Sequence, residues 1–366
     1  MKIGIDGTPF QGKTTGIGRY LYSFLAPLIN NNPSYQFYLY GNKKMQFDIQ
    51  ANNLHIIQCN NILRYLKSIL WLKFFLHSKL KKDKIDIFIA GNSFLPYFLP
   101  KNLKTAFFIH DLNYLLVPQT MKRSALLIYK LSFKSDVSNA TILIANSNAT
   151  ALKVDQFFKK KVDFVVHPDI GINFKEFKAT DMELPDGIKQ FHPYILTVGT
   201  FEPRKNLDSA IKAFIKLKEE GSLPNYTLVM IGKEGWKNKE LKKIINTRND
   251  LKQLGYINNE ILPYIYSEAK AFMYLSIYEG FGIPVREALS VGTNVVASNI
   301  DEIKEAGGIY PFYVTATNID EISTALLQAI QTQETVERKK IGFTSEVSKN
   351  VQQLFWHKLK LADNTN

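Results

Sequence analysis

The run AFMYLSIYEGFGIPVREALSVG, residues 271–292, decides how the chain is read. Its first seven residues form the continuous apolar stretch expected of a parallel strand buried on both faces. A Gly-Phe-Gly turn follows at 280–282. Pro284 then falls in the first turn of a helix, where a missing N–H leaves no bond unmade. Glu279 lies in the turn and Glu287 on the helix, eight positions later. The loop thus sets a carboxylate and several unbonded backbone N–H groups at the carboxyl end of a strand. Open parallel sheets bind ligands there, and helix N-termini favour phosphate through their N–H groups and macrodipole.

The flanking sequence has the same grammar. MKIGID (1–6) reads as a first strand, followed by the Gly/Thr-rich loop 7–18 and a helix from about Arg19 to Ile29. FYLYG, NLHIIQ, IDIFIAG, TAFFIHD and ATILIANS are further strands separated by helices and loops. The runs ending in IHD and IANS are expected to set His110, Asp111 and Ser147 at strand ends facing a cleft. An irregular stretch, 174–192, reads as a linker. A second series follows: YILTVGT, a helix from about Asn206 to Glu220, YTLVMIG, a helix from about Lys239, LGYI, a helix over 260–269, then the opening run, NVVAS and GIYPFYV. Two successive α/β halves predict two doubly wound sheets facing each other, a pair of Rossmann-like domains.

The chain has 366 residues, enough for two domains, and a single cysteine, Cys59, which excludes a disulfide framework and suits a reducing cytoplasm. The start shows no signal-peptide pattern, and no apolar run is long enough to span a bilayer. The net charge of +13 is unevenly held. Residues 1–175 carry 23 Lys and Arg against 9 Asp and no Glu, whereas the remainder is close to neutral. So basic a half attracts an anionic partner: nucleic acid, an acidic membrane surface or a phosphorylated acceptor. Residues 62–84, rich in leucine, aromatics and lysine, read either as a membrane-surface helix or as a buried helix with snorkelling lysines. A helix over 121–134 adds to this basic, apolar surface.

Several motifs carry residues suited to chemistry. Residues 7–14, GTPFQGKT, match a phosphate-loop pattern in which Lys13 and Thr14 would handle phosphate and magnesium. Gly16 and Gly18 follow at once and are expected to break the helix that this reading needs. The loop is not a dinucleotide fingerprint either, because FYLYGNKK lacks the acidic residue after the second strand. Arg204 and Lys205, just after a strand and Gly199, suit phosphate oxygens through a guanidinium fork and an ammonium. His110 is read equally as a core histidine bonded to a carbonyl and as a ligand contact. No metal site is expected, since clustered Cys/His and HExxH are missing.

Taken together, TTGIGRY, FIHDLNY, ANSNAT, TVGTFEPRKN, LVMIGKEGW, LGYINNEILPYIYSEAKAF and SIYEGFGIPVREALSVGTNVVASN resemble, in order, the retaining glycosyltransferases of family 4, of GT-B fold. Glu279 and Glu287 take the two acidic positions of that family's E-x7-E motif. The resemblance implies domains over 1–175 and 176–345, with a C-terminal segment, 346–366, packing back on the first. It implies that Arg204 and Lys205 bind the donor diphosphate, with Gly16, Gly199 and the backbone of Gly280, Phe281, Gly282 and Ile283. Glu287 would hold the ribose, the Gly255–Ile257 backbone the base, Glu279 the sugar beside the reacting carbon and His110 the sugar hydroxyls. The function implied is hexose transfer, with mannose from GDP-mannose as the first reading and a UDP-sugar as the second. The acceptor would be a glycan or a polyprenyl-diphosphate-linked glycan in polysaccharide assembly. Neither cofactor nor nucleic acid is expected, and the setting is cytoplasmic, with room for peripheral binding to the anionic inner membrane face. An epimerase of the same fold, a phosphate-loop NTPase and a basic nucleic-acid-binding protein are the competing classes. Three departures stand out: VVHPDIGINF (165–174) fits the family's linker signature only loosely, Asn294 stands where the family favours proline, and Arg286 where it favours an apolar residue.

Overall fold

The computed structural model describes residues 1–12, 16–59, 62–178, 186–236, 239–332 and 349–361; Lys13 and Thr14 lie outside them. The chain divides into two compact units. Among the described residues, unit 1 holds 1–112, 123–169 and the last helix, and unit 2 holds 113–122 and 170–332.

Unit 1 contains seven parallel strands: β1 (Lys2–Asp6), β2 (Gln36–Gly41), β3 (Leu54–Gln58), β4 (Ile87–Ala90), β5 (Lys104–Ile109), β6 (Ile142–Ala145) and β7 (Phe164–Val165), in the order β3-β2-β1-β4-β5-β6-β7. Unit 2 contains β8 (Tyr194–Val198), β9 (Thr227–Ile231), β10 (Leu251–Gly255), β11 (Ala271–Tyr274), β12 (Val295–Ser298) and β13 (Phe312–Val314), in the order β10-β9-β8-β11-β12-β13. Both sheets are doubly wound and Rossmann-like. Every residue of β4, β6, β11 and β12 is buried, which is why these strands are uninterrupted apolar runs rather than alternating ones. The order reverses between β1 and β4, and again between β8 and β11. Such switch points open a crevice at the carboxyl ends of the strands.

The helices that cover the sheets correct several local expectations. Gly16 and Gly18 do not break the first helix; they form its first turn in Gly16–Asn30. Ser147 does not face a cleft, because it is wholly buried and its Oγ caps helix Asn148–Phe158 by accepting from Thr150 N at 2.9 Å. Residues 62–84 are not one helix but a short 3-10 turn, Ile62–Tyr65, and two helices, Ser68–Phe74 and Leu76–Lys82. The helix expected over 121–134 runs from Arg123 to Asn139. The last helix, Lys349–Leu361, packs into unit 1: Phe355 meets the Phe24 ring at 5.7 Å and Trp356 meets Tyr35 at 5.2 Å.

Candidate active site

The reversal in unit 2 is where charged side chains collect. After β8 the chain passes Gly199 and forms a 3-10 turn, Pro203–Lys205, before helix Leu207–Glu219. After β11 it forms the loop carrying Glu279 and enters helix Ile283–Ser290. Ile277 N donates to Arg204 O at 2.8 Å, which ties the two loops together and sets the height of Glu279.

Glu279 receives a cation on each oxygen. Lys205 Nζ lies 2.6 Å from Oε1 and Arg204 Nη1 lies 2.7 Å from Oε2. Arg204 also grips Glu202 Oε1, through Nε at 3.1 Å and Nη2 at 2.8 Å, and donates from Nη1 to Tyr278 O at 2.9 Å. Lys205 Nζ donates to Tyr274 OH at 2.7 Å. Burial alone pushes the Glu279 carboxyl up, but Arg204 and then Lys205 outweigh it and hold the group down at about 2. Glu279 is therefore ionised throughout the physiological range. It cannot donate a proton, and with both oxygens bound it is a poor nucleophile. Burial pulls the Lys205 ammonium downward against the attraction of Glu279. Glu202, Tyr274 and Tyr278 were not singled out in the sequence, because only the fold brings β8 and β11 side by side.

The backbone around this cluster is bare. β8 and β9 are each followed by a glycine of positive φ, Gly199 at 157° and Gly232 at 154°, and β10 ends in one, Gly255 at 68°. The ladder continues through them, with Gly199 N donating to Ile231 O at 2.9 Å and Gly232 N to Gly255 O at 2.7 Å. A Cβ on Gly232 would lie 1.8 Å from Gly199 O, so the approach requires glycine. An open cleft of about 740 Å³ runs along β10 and is lined by Lys233, Arg248, Lys252, Gly255 and Tyr256, but not by Glu279. Ile257, two residues after Gly255, packs its side chain against the core of unit 2.

The glycine-rich turn closes the other side. Gly282, at φ 113°, caps helix Ile283–Ser290, and Gly280, Phe281 and Gly282 are all buried. The Arg286 guanidinium lies 4.4 Å from the Phe281 ring centre, and its Nε donates to Ala306 O at 3.3 Å. Glu287 is buried at 1% exposure, with Tyr266 OH donating to Oε2 at 3.2 Å. It lies on the helix that the turn opens.

In unit 1, His110 follows β5 and Gly16 opens the first helix. His110 is nearly buried, and its Nε2 lies 2.6 Å from Gly91 O, so Nε2 carries the proton. Its own carbonyl accepts from Asn146 Nδ2 at 2.8 Å, and its ring meets Tyr20, of the helix that Gly16 begins, at 5.7 Å. Burial pulls the imidazole down to about 4, so the ring is neutral near pH 7. At the reversal between β1 and β4, Asp6 is wholly buried; its Oδ1 accepts from Thr8 N at 2.9 Å, and burial raises the carboxyl to about 6. Among the described residues, no group of three or more His, Cys, Asp or Glu could hold a metal ion.

The chain is similar to known proteins over most of its length. Residues 185–342 match the family described as glycosyl transferases group 1. Over 350 residues the chain is 26% identical to O-antigen chain mannosyltransferase B of Escherichia coli, covering 90% of this chain and 91% of that one. Among solved structures, sucrose-phosphate synthase from Thermosynechococcus elongatus superposes with a TM-score of 0.68 at 18% identity, over 99% of this chain and 97% of that one. WaaG, a glycosyltransferase involved in lipopolysaccharide biosynthesis, superposes with a TM-score of 0.65 at 15% identity, over 100% of this chain and 96% of that one. At such identities the two structures speak for the fold alone.

Proposed function

We propose, from the premise that this chain is a glycosyltransferase of the GT-B, family 4 type, that it moves mannose from GDP-mannose to a glycan or lipid-linked glycan hydroxyl with retention at the anomeric carbon. The observation that carries the reading is the pair of cations, Arg204 and Lys205, held by Glu279 at the reversal between β8 and β11. A diphosphate at that point competes with Glu279 for the same N–H groups. Its negative charge grows as the bond to the sugar breaks, so the cations favour the transition state over the bound donor. The amides of Phe281, Gly282 and Ile283 add dipoles of the same sign.

Within a retaining reading, the state of Glu279 supports front-face attack over double displacement. Bound on both oxygens and fully ionised, it acts as a fixed negative charge beside a developing oxocarbenium rather than as a nucleophile. The C1–O bond to the diphosphate breaks, and the acceptor oxygen bonds to C1 on the same face. The acceptor proton passes to the departing phosphate oxygen. No metal or cofactor enters this scheme. Neutral His110 offers its second ring nitrogen as an acceptor for a sugar hydroxyl. Mannose is favoured by the 26% identity, over nine-tenths of the chain, to the mannosyltransferase of E. coli.

A panel of nucleotide sugars in a thermal-shift assay tests the donor. GDP-mannose is expected to raise the melting temperature most. A larger rise with a UDP-sugar moves the assignment to that donor, and consumption of donor without acceptor turns it into an epimerase. A β-linked product from the α-linked donor refutes retention.

A further inference from the structure

We propose that unit 1 binds a neutral sugar ring, apart from the site of transfer, in a cavity of about 330 Å³ beneath the last helix. The cavity lies at the amino ends of β4 and β5, and Asp86, Ile87, Asn102, Lys104, Trp356 and Leu359 line it. Its volume falls at the lower end of the range of about 300–1,000 Å³ found for small-molecule sites. His110 follows β5 at the opposite end, six positions beyond Lys104. About 20 Å of extended strand therefore separates the cavity from the carboxyl-end crevice.

The walls are anchored. Phe355 and Trp356 pack on Phe24 and Tyr35, and Lys358 is ion-paired with Asp163, so rings and charge both hold the last helix to unit 1. Lys104 Nζ donates to Leu359 O, in the last turn of that helix, where carbonyls lack partners within the helix. Asp86 is tied to the first strand, its Oδ2 accepting from Lys2 N at 2.7 Å. One group is left over. Trp356 is 8% exposed, and its Nε1 is buried with no hydrogen-bond partner among the described residues. A buried N–H without an acceptor is costly, so an acceptor brought into the cavity has a donor waiting for it.

Charge and hydrogen-bonding capacity select the occupant. An anion would meet Asp86 and the negative end of the helix dipole, and a cation would meet Lys104. An apolar molecule would leave Trp356 Nε1 unpaired and strip water from Asn102 and Lys104. A hydroxyl both donates and accepts, so a ring of hydroxyls suits Trp356 Nε1, the Asn102 amide and the Asp86 carboxylate together. The C–H face of such a ring suits Ile87 and Leu359. That combination is the chemistry of a pyranose. A second saccharide site would hold one sugar residue of a glycan without occupying the site of transfer, and so raise the local concentration of the rest.

The chain has three tryptophans, so three indole N–H signals of the full, nitrogen-15-labelled protein read the proposal out. The signal lost in Trp356→Phe is expected to shift saturably on titration with methyl α-mannoside or methyl α-glucoside, while those of Trp71 and Trp236 stay in place. Nucleotide is left out, so failure here leaves the transfer reading standing, and failure of that reading leaves this result standing. Asn102→Ala, on an exposed loop, and Leu359→Trp, which fills the cavity, should each raise the half-saturating concentration at least about tenfold. Asn102→Ala should keep the wild-type melting curve, so the test holds even if Leu359→Trp fails to fold. Mannose 6-phosphate and glucosamine should bind more weakly than the neutral glycosides. A Trp356 signal unmoved at about 100 mM glycoside overturns the proposal. So do three signals that drift together, tighter binding of either charged sugar, or wild-type affinity in Asn102→Ala.

Discussion

Lys205 Nζ lies 2.6 Å from Glu279 Oε1, a bond that joins residues 74 positions apart across the junction of β8 and β11. Arg204 occupies the other carboxylate oxygen, so binding chemistry and local stability share one set of contacts. Arg204→Ala/Lys205→Ala is expected to lower kcat by at least about 10²–10³. It also leaves Glu279 as a buried, unpaired carboxylate, which should cost about 3–5 kcal/mol of stability. Adding Glu279→Gln should restore the melting temperature but not the turnover. If the triple variant recovers both, the cations have no role at the phosphate.

The glycine row makes a contrast in stability. Gly232→Ala would drive a Cβ to 1.8 Å from Gly199 O, backbone against backbone between paired strands. Destabilisation above about 4 kcal/mol is expected. Gly221→Ala, at φ 75° with no described atom within 4 Å, should lose only about 1 kcal/mol to left-handed strain. Chemical denaturation of the two variants checks the ranking.

Asp6 titrates against the fold. Its folded value, about 6, is raised above the ordinary 3.8 by burial. The stability it contributes is therefore fully present below pH 3.8 and lost as pH rises through 6. Asp6→Asn should be more stable than wild type at pH 7, by up to about 3 kcal/mol, and indistinguishable near pH 4. Urea midpoints at the two pH values decide it, and equal midpoints at pH 7 refute it.

His110 runs in the opposite direction. Burial lowers it from 6.5 to about 4, so the neutral ring is the one that fits. Its contribution is present above pH 6.5 and lost as pH falls toward 4, because the unfolded chain takes up the proton first. His110→Gln, which keeps a donor for Gly91 O, should flatten stability against pH across that interval. An unchanged slope would show that the ring is not buried as described.

Asn294 has a structural account. Its Nδ2 donates to Ala329 O at 2.8 Å and to Thr332 O at 3.0 Å, capping carbonyls at the end of helix Ile319–Gln331. Asn294→Ala should cost about 1–2 kcal/mol and leave turnover at the wild-type level. A melting curve and a rate measured on the same preparation test both halves.

What the sequence made legible was what periodicity and strand ends carry. The apolar run 271–274 is β11, and the motifs after β8 and β11 lie side by side because consecutive βα units alternate about a switch point. What stayed hidden depended on partners distant in sequence. Lys73 looked like either a membrane-facing or a snorkelling lysine; it does neither, because Asp136, 63 positions away, meets it in the interior. Glu202 gave no signal beside Arg204, since its value as a second anchor appears only when the 3-10 turn bends it back. Ser147 stands both at a strand end and at a helix start, and the helix claims its side chain as a cap, so Oγ turns to Thr150 N rather than outward.

The placement of Phe355, Trp356 and Leu359 among the core residues of unit 1 bears on how the molecule is made. Unit 1, most of which is translated early, stays unfinished until residues 349–361 have been made. Phe24 and Tyr35 wait for rings encoded more than 300 positions downstream. A truncation before Lys349 would therefore damage the first half of the nascent polypeptide, leaving its core short of Phe355, Trp356 and Leu359.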